Sequence, residues 1–147
     1  MSTDERQQIQ PTAGEVHTSL LLEVSNAMVR LYKDHFGRGP TKARTYWVGP
    51  DAMTCFLEDT LTPAERNLVR MGAHQRVRDM RLYLQYATLP AFCEPVERIT
   101  GRTVRAFISG IDTAVAGLST ELFVLHPVGS SEPSRTQLAE TRPRLSR

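Results

Sequence analysis

Between His35 and Thr41 the apolar pattern of this chain changes its period, and no other feature constrains the fold as much. Upstream, Val16, Leu20, Val24, Ala27 and Leu31 recur three or four residues apart, and Leu21, Met28 and Tyr32 widen the stripe. That spacing belongs to a helix with one buried face and predicts a helix over about 15–35. Gly37-Arg38-Gly39-Pro40 then ends it, because Pro cannot continue a helix and Gly accepts a left-handed cap. Downstream the period is two. Ala43, Thr45 and Trp47 alternate with Arg44, Tyr46 and Val48, Gly49-Pro50-Asp51 supplies a turn, and residues 52–58 return. This predicts a hairpin rich in β-branched and aromatic residues.

A second helical stretch opens at Thr62-Pro63-Ala64-Glu65. Thr62 is the expected N-cap, Pro63 fits the first helical position, and Glu65 three residues on closes a capping box. Gly72 interrupts the stretch; helix resumes over about 75–86, and a third piece runs from near Pro90 to Thr100, with Gly101 as its C-terminal stop. Residues 104–111 and 118–125 alternate again and predict a second hairpin across 112–117. The order α-ββ-α(α)-ββ points to a single α+β domain, a mostly antiparallel four-stranded sheet with helices on one face. Polar residues 1–13 are expected to be a flexible arm and 14–126 the domain. Residues 127–147, with three Pro, four Ser and four Arg, are expected to be a disordered tail.

At 147 residues the chain suits one domain. Its 18 basic residues, of which 16 are Arg, nearly balance 16 acidic ones, which argues against a wholesale nucleic-acid binder. The first residues carry no apolar signal segment, and no apolar run approaches the roughly 18 residues of a membrane span, so a soluble cytoplasmic protein is expected. Cys55 and Cys93 lie outside any CxxC, and His17, His35, His74 and His126 share no metal-ligand spacing. No P-loop, GxGxxG or GxSxG is present. The expectation is therefore no catalytic residue, no metal and no cofactor.

Two constellations merit weight. Gly37, Arg38 and Gly39, with Arg44 nearby, form a candidate anion or ligand loop, since Gly-rich backbone can aim N–H groups at an anion. A helix stop followed by a strand needs the same glycines. Arg66, Arg70, His74 and Arg78 recur every four residues and would share one face of a continuous helix, a candidate surface for a partner or an anionic membrane. Gly72 within the run, and the ordinary occurrence of solvated polar faces, weigh against it. Glu94, Glu97 and Arg98 read as an exposed helix face with routine ion pairs.

Five segments occur together in one family: Gly37–Pro40, Leu61–Arg66, Val96–Arg102, Val104–Ser109 and Glu121–Leu125. In that order and spacing the chain resembles the bacterial MpsC-like family over roughly 16–126. The resemblance implies a component of a Na+-translocating, membrane-potential-generating system linked to ion and inorganic-carbon uptake. A chain without a membrane span would serve such a system as a non-enzymatic accessory or regulatory subunit, at the inner face of the membrane. An integral membrane protein is then the expected partner and a homo-oligomer a further expectation. Direct lipid contact would be weak, and nucleic acid is not expected. The alternative is a small-molecule or anion-binding regulatory domain built on Arg38, Arg44 and the glycine loop.

Overall fold

The computed structural model describes residues 12–138. Helix α1 (Ala13–Phe36) is followed by strands β1 (Lys42–Trp47) and β2 (Ala52–Glu58). Helices α2 (Pro63–Arg70), α3 (His74–Ala87) and α4 (Leu89–Thr100) come next, then β3 (Val104–Asp112) and β4 (Leu118–Leu125). The sheet is antiparallel throughout, in the order β1-β2-β4-β3. This is the expected α+β architecture, with the helices on one face.

Local chemistry accounts for the boundaries. Gly37 ends α1 at φ 78°, and its N–H is used by the Lys33 carbonyl at 2.9 Å. Thr62 and Glu65 form the predicted capping box. The same device starts α1, where the Thr12 hydroxyl accepts from Glu15 N and Glu15 accepts from Thr12 N. That places the helix start two residues before the expected one. The remainder of the expected N-terminal arm lies outside the described residues.

The core lies between the sheet and α1, α3 and α4. Met28 and Tyr32 of α1 and Phe92 and Val96 of α4 meet Met53, Leu57, Phe107 and Phe123 of the sheet, all buried. Phe107 stacks on Phe92, with ring centroids 5.2 Å apart. An irregularity between Val104 and Ala106 shifts the β3 register, so that Val104, Phe107 and Ser109 all face the helices while Ile108 faces outward.

The expected disordered tail needs correction over residues 127–138. Arg135–Gln137 form a short 3-10 turn that packs against α4 and β3. Buried Ser134 donates to Glu97 Oε1 at 3.1 Å, and Thr103 donates to the Glu132 carbonyl at 2.9 Å. Glu97 also accepts from Val104 N at 2.8 Å, so it ties α4 to β3 and to the C-terminal segment rather than standing on a free helix face. The hold is polar, which an apolar-period argument cannot see. The rest of the expected tail lies outside the described residues.

Candidate functional site

The loop between β2 and α2 is gripped from both sides by arginine. Asp59 sits in the left-handed region at φ 59°, a conformation Asp tolerates better than most residues. On the outer side Arg38 Nη2 contacts Asp59 Oδ2 at 3.0 Å, and Arg38 Nη1 donates to the Leu61 carbonyl at 2.9 Å. Arg66 Nη2 meets the other Asp59 oxygen at 2.5 Å. Arg70, one helical turn further along, donates to Asn67 at 2.7 Å. Arg38, Asp59, Pro63, Arg66, Asn67 and Arg70 line an open cleft of about 420 Å³. Two guanidiniums on one carboxylate, with the Arg70 guanidinium lining the same cleft, leave a positive excess there.

On the inner side of the same loop lies fully buried Arg81. Its Nε and Nη2 each donate to a Glu65 carboxylate oxygen at 2.6 Å, and Nη2 also bonds the Thr60 carbonyl. The guanidinium carbon stands 3.7 Å from the centroid of the Phe36 ring. Glu65 is only 2% exposed and closes the α2 capping box as well. Burial alone would raise its carboxyl, but the Arg81 bonds, the Thr62 amide and the Arg81 charge outweigh that and hold it below its usual range.

Beyond Arg81 the polar interior continues. Glu121 Oε1 on β4 accepts from the Tyr32 hydroxyl at 2.5 Å and from Gln85 Nε2 at 2.8 Å. Arg81 is spent on Glu65, so Glu121 has no full counter-charge of its own. Burial pushes Glu121 up to about 7 against the lowering pull of the Tyr32 and Ser109 hydroxyls, the Arg81 charge and Gln85. Burial, then the Glu121 carboxylate, likewise raises Tyr32 well above the ordinary phenol value. Burial lifts the free thiols Cys55 and Cys93 to about 11 and about 12, so both stay protonated at neutral pH.

The structure divides both constellations read from the sequence. Arg38 lines the cleft, but Arg44 lies on the outer face of the sheet with Lys42, Tyr46 and Phe56 and does not join it. Gly37 spends its N–H on the helix cap, and Gly39 packs near Val29, where a Cβ would stand 3.5 Å from Val29 Cγ1. Arg66, Arg70, His74 and Arg78 do not form one continuous face, because Gly72 at φ 79° separates α2 from α3. Arg66 and Arg70 belong to the Arg38 cleft. His74 bonds the Thr113 hydroxyl at 2.7 Å and, with Arg78, lines a different cleft of about 450 Å³. The convergence of Arg38 with Arg66 and Arg70 is tertiary; its one trace in sequence is an acid, Asp59, placed just before a capping box. Among the described residues no three His, Cys, Asp or Glu side chains come together as a metal-ligand group. No described helix is long and apolar enough to cross a membrane.

The family described as the Na+-translocating membrane potential-generating system (MpsC) matches residues 17–126. The chain belongs to the MpsC family. That match spans α1 to the end of β4, so the MpsC domain takes in the cleft, the doubly gripped loop and the whole sheet. No curated protein and no solved structure matches this MpsC-family chain.

Proposed function

We propose that this MpsC-family chain is a non-enzymatic accessory or regulatory subunit that works at the cytoplasmic face of a membrane system moving Na+. One observation carries the proposal: the family is described by a membrane ion-translocating system, while no described helix of this member can cross a membrane. The ion path then runs through an integral membrane partner. The Arg38–Arg66–Arg70 cleft supplies the surface for it, a positive concavity suited to acidic side chains on a cytoplasmic loop. The test uses everted membrane vesicles from cells lacking the chain. Adding purified full-length chain should restore a Na+-dependent membrane potential, and an Arg38→Gln/Arg66→Gln/Arg70→Gln variant should not. Vesicles indifferent to the chain would overturn the proposal.

The alternative, an anion-binding regulatory domain, is favoured by the same cleft, which three arginines and one carboxylate line. Inorganic phosphate should then raise the melting temperature in step with RT ln(1 + [L]/Kd) at constant ionic strength. The triple variant should lose that response, and a wild type without it excludes phosphate as the ligand.

A further inference from the structure

The described helices cover only one face of the sheet. On the other face the ladder sets Tyr46, Thr54, Leu122 and Ile108 in one row across the four strands, and Arg44, Phe56, Thr120 and Gly110 in the next. Tyr46 is 51% exposed, Phe56 40% and Ile108 54%. The Tyr46 and Phe56 rings lie 6.1 Å apart, and Leu118 extends the patch toward the sheet's end. Large apolar side chains contiguous on a face that no described helix covers mark an interaction surface.

Charge and shape on that face select the occupant. The outermost row reads Lys42, Glu58, Leu118, Asp112, with the cation on edge strand β1 and an anion on edge strand β3. A two-fold axis parallel to the strands lays β1 of one copy over β3 of the other and keeps each row opposite itself. Lys42 then meets the partner copy's Asp112, Tyr46 meets Ile108, and Arg44 lies over Gly110, where no side chain stands in its way. A two-fold axis across the strands instead sets Lys42 over the end near Val48, where the carboxylate at hand, Asp51, is already bound to Arg102 at 2.5 Å. We infer that a second copy of this chain packs on the outer sheet face, through a two-fold axis parallel to the strands, as a sheet-on-sheet homodimer.

The size of the face sets the strength. Four strands about 4.8 Å apart and roughly six residues long give a footprint of roughly 400 Å² per copy. That falls below the ~800 Å² per partner of a standard interface, so the dimer is a weak one that dissociates on dilution.

Sedimentation of the full chain from about 1 to about 200 µM should show the mass rising from 16.5 kDa toward twice that value. Ile108→Lys should stay at the monomer mass with an unchanged circular dichroism spectrum. Raising salt should weaken the dimer, since each Lys42–Asp112 pair contributes up to a factor of about five. The cross-link test does not depend on that variant folding. Mixed in equal amounts, Tyr46→Cys and Ile108→Cys chains should join mainly to each other, because the native thiols are buried and do not compete. A wild type that stays at 16.5 kDa at the highest concentration overturns the dimer, whether a heterologous protein, a lipid surface or the chain's own ends cover the face instead. Links mainly between two Tyr46→Cys chains overturn this two-fold axis.

Discussion

Replacing Glu65 by Gln removes one charge from the protein interior and almost no volume. Arg81 is fully buried and makes two 2.6 Å bonds to Glu65, so the change leaves a guanidinium in the core without its counter-charge. Removing one partner of a buried ion pair costs about 3–5 kcal/mol, a large share of the roughly 5–15 kcal/mol that holds a domain folded. Thr62→Ala, by contrast, removes only the cap acceptor of the same helix, 3.2 Å from Glu65 N, and should cost about 1 kcal/mol. Urea unfolding measures both, and the midpoints should fall with the slope unchanged. The double variant Glu65→Gln/Arg81→Met should recover most of the loss, because it leaves no isolated charge behind. A Glu65→Gln midpoint within about 1 kcal/mol of wild type would show that the pair holds nothing together.

Two further perturbations read other parts of the structure. Gly117 has φ 83°, and a Cβ there would stand 2.6 Å from Leu61 Cγ, so Gly117→Ala should cost about 3 kcal/mol by thermal unfolding, from backbone strain and overpacking together. Glu121, lifted to about 7, binds its proton more tightly folded than unfolded, so wild-type stability should fall as pH rises from about 4.5 to about 7, by roughly 3 kcal/mol from this group. Glu121→Gln should remove that descent in denaturation curves taken across this range, and a variant that keeps the full slope would show that Glu121 is not its source.

The elements were legible where the signal is local and covalent. Gly37–Pro40, Thr62–Glu65 and Gly101 each fix a backbone conformation by their own chemistry, and the boundaries fall there. Thr12-Ala13-Gly14-Glu15 carries the same capping pattern as Thr62–Glu65, but it stands in a polar stretch without apolar period and reads as an arm. Charged core residues were the least legible. Arg81, three residues past Arg78, gives no sign of burial in the sequence and Glu65 looks like a routine capping acid, yet each is buried because it satisfies the other. Apolar periodicity counts both as surface. The cleft was half visible: Arg38, Arg66 and Arg70 each stood out, but in separate constellations, because Asp59 joins Arg38 to Arg66 only in three dimensions, beside Arg70 on the same cleft wall. The β3 irregularity that turns Ile108 outward leaves no mark on an alternating pattern, which looks equally regular on either face.

Docking of this MpsC-family chain on an integral membrane partner through the Arg38–Arg66–Arg70 cleft, as proposed above, can be tested in native membranes. Affinity purification of the tagged full chain from native membranes tests it most directly, with the triple Gln variant run beside the wild type and its fold verified by circular dichroism. An integral membrane protein should be recovered in fixed proportion with the wild type, in amounts that fall as salt rises, and be lost with the variant. Recovery of the same membrane protein at undiminished yield with the triple variant, or of no membrane protein with the wild type, would contradict it.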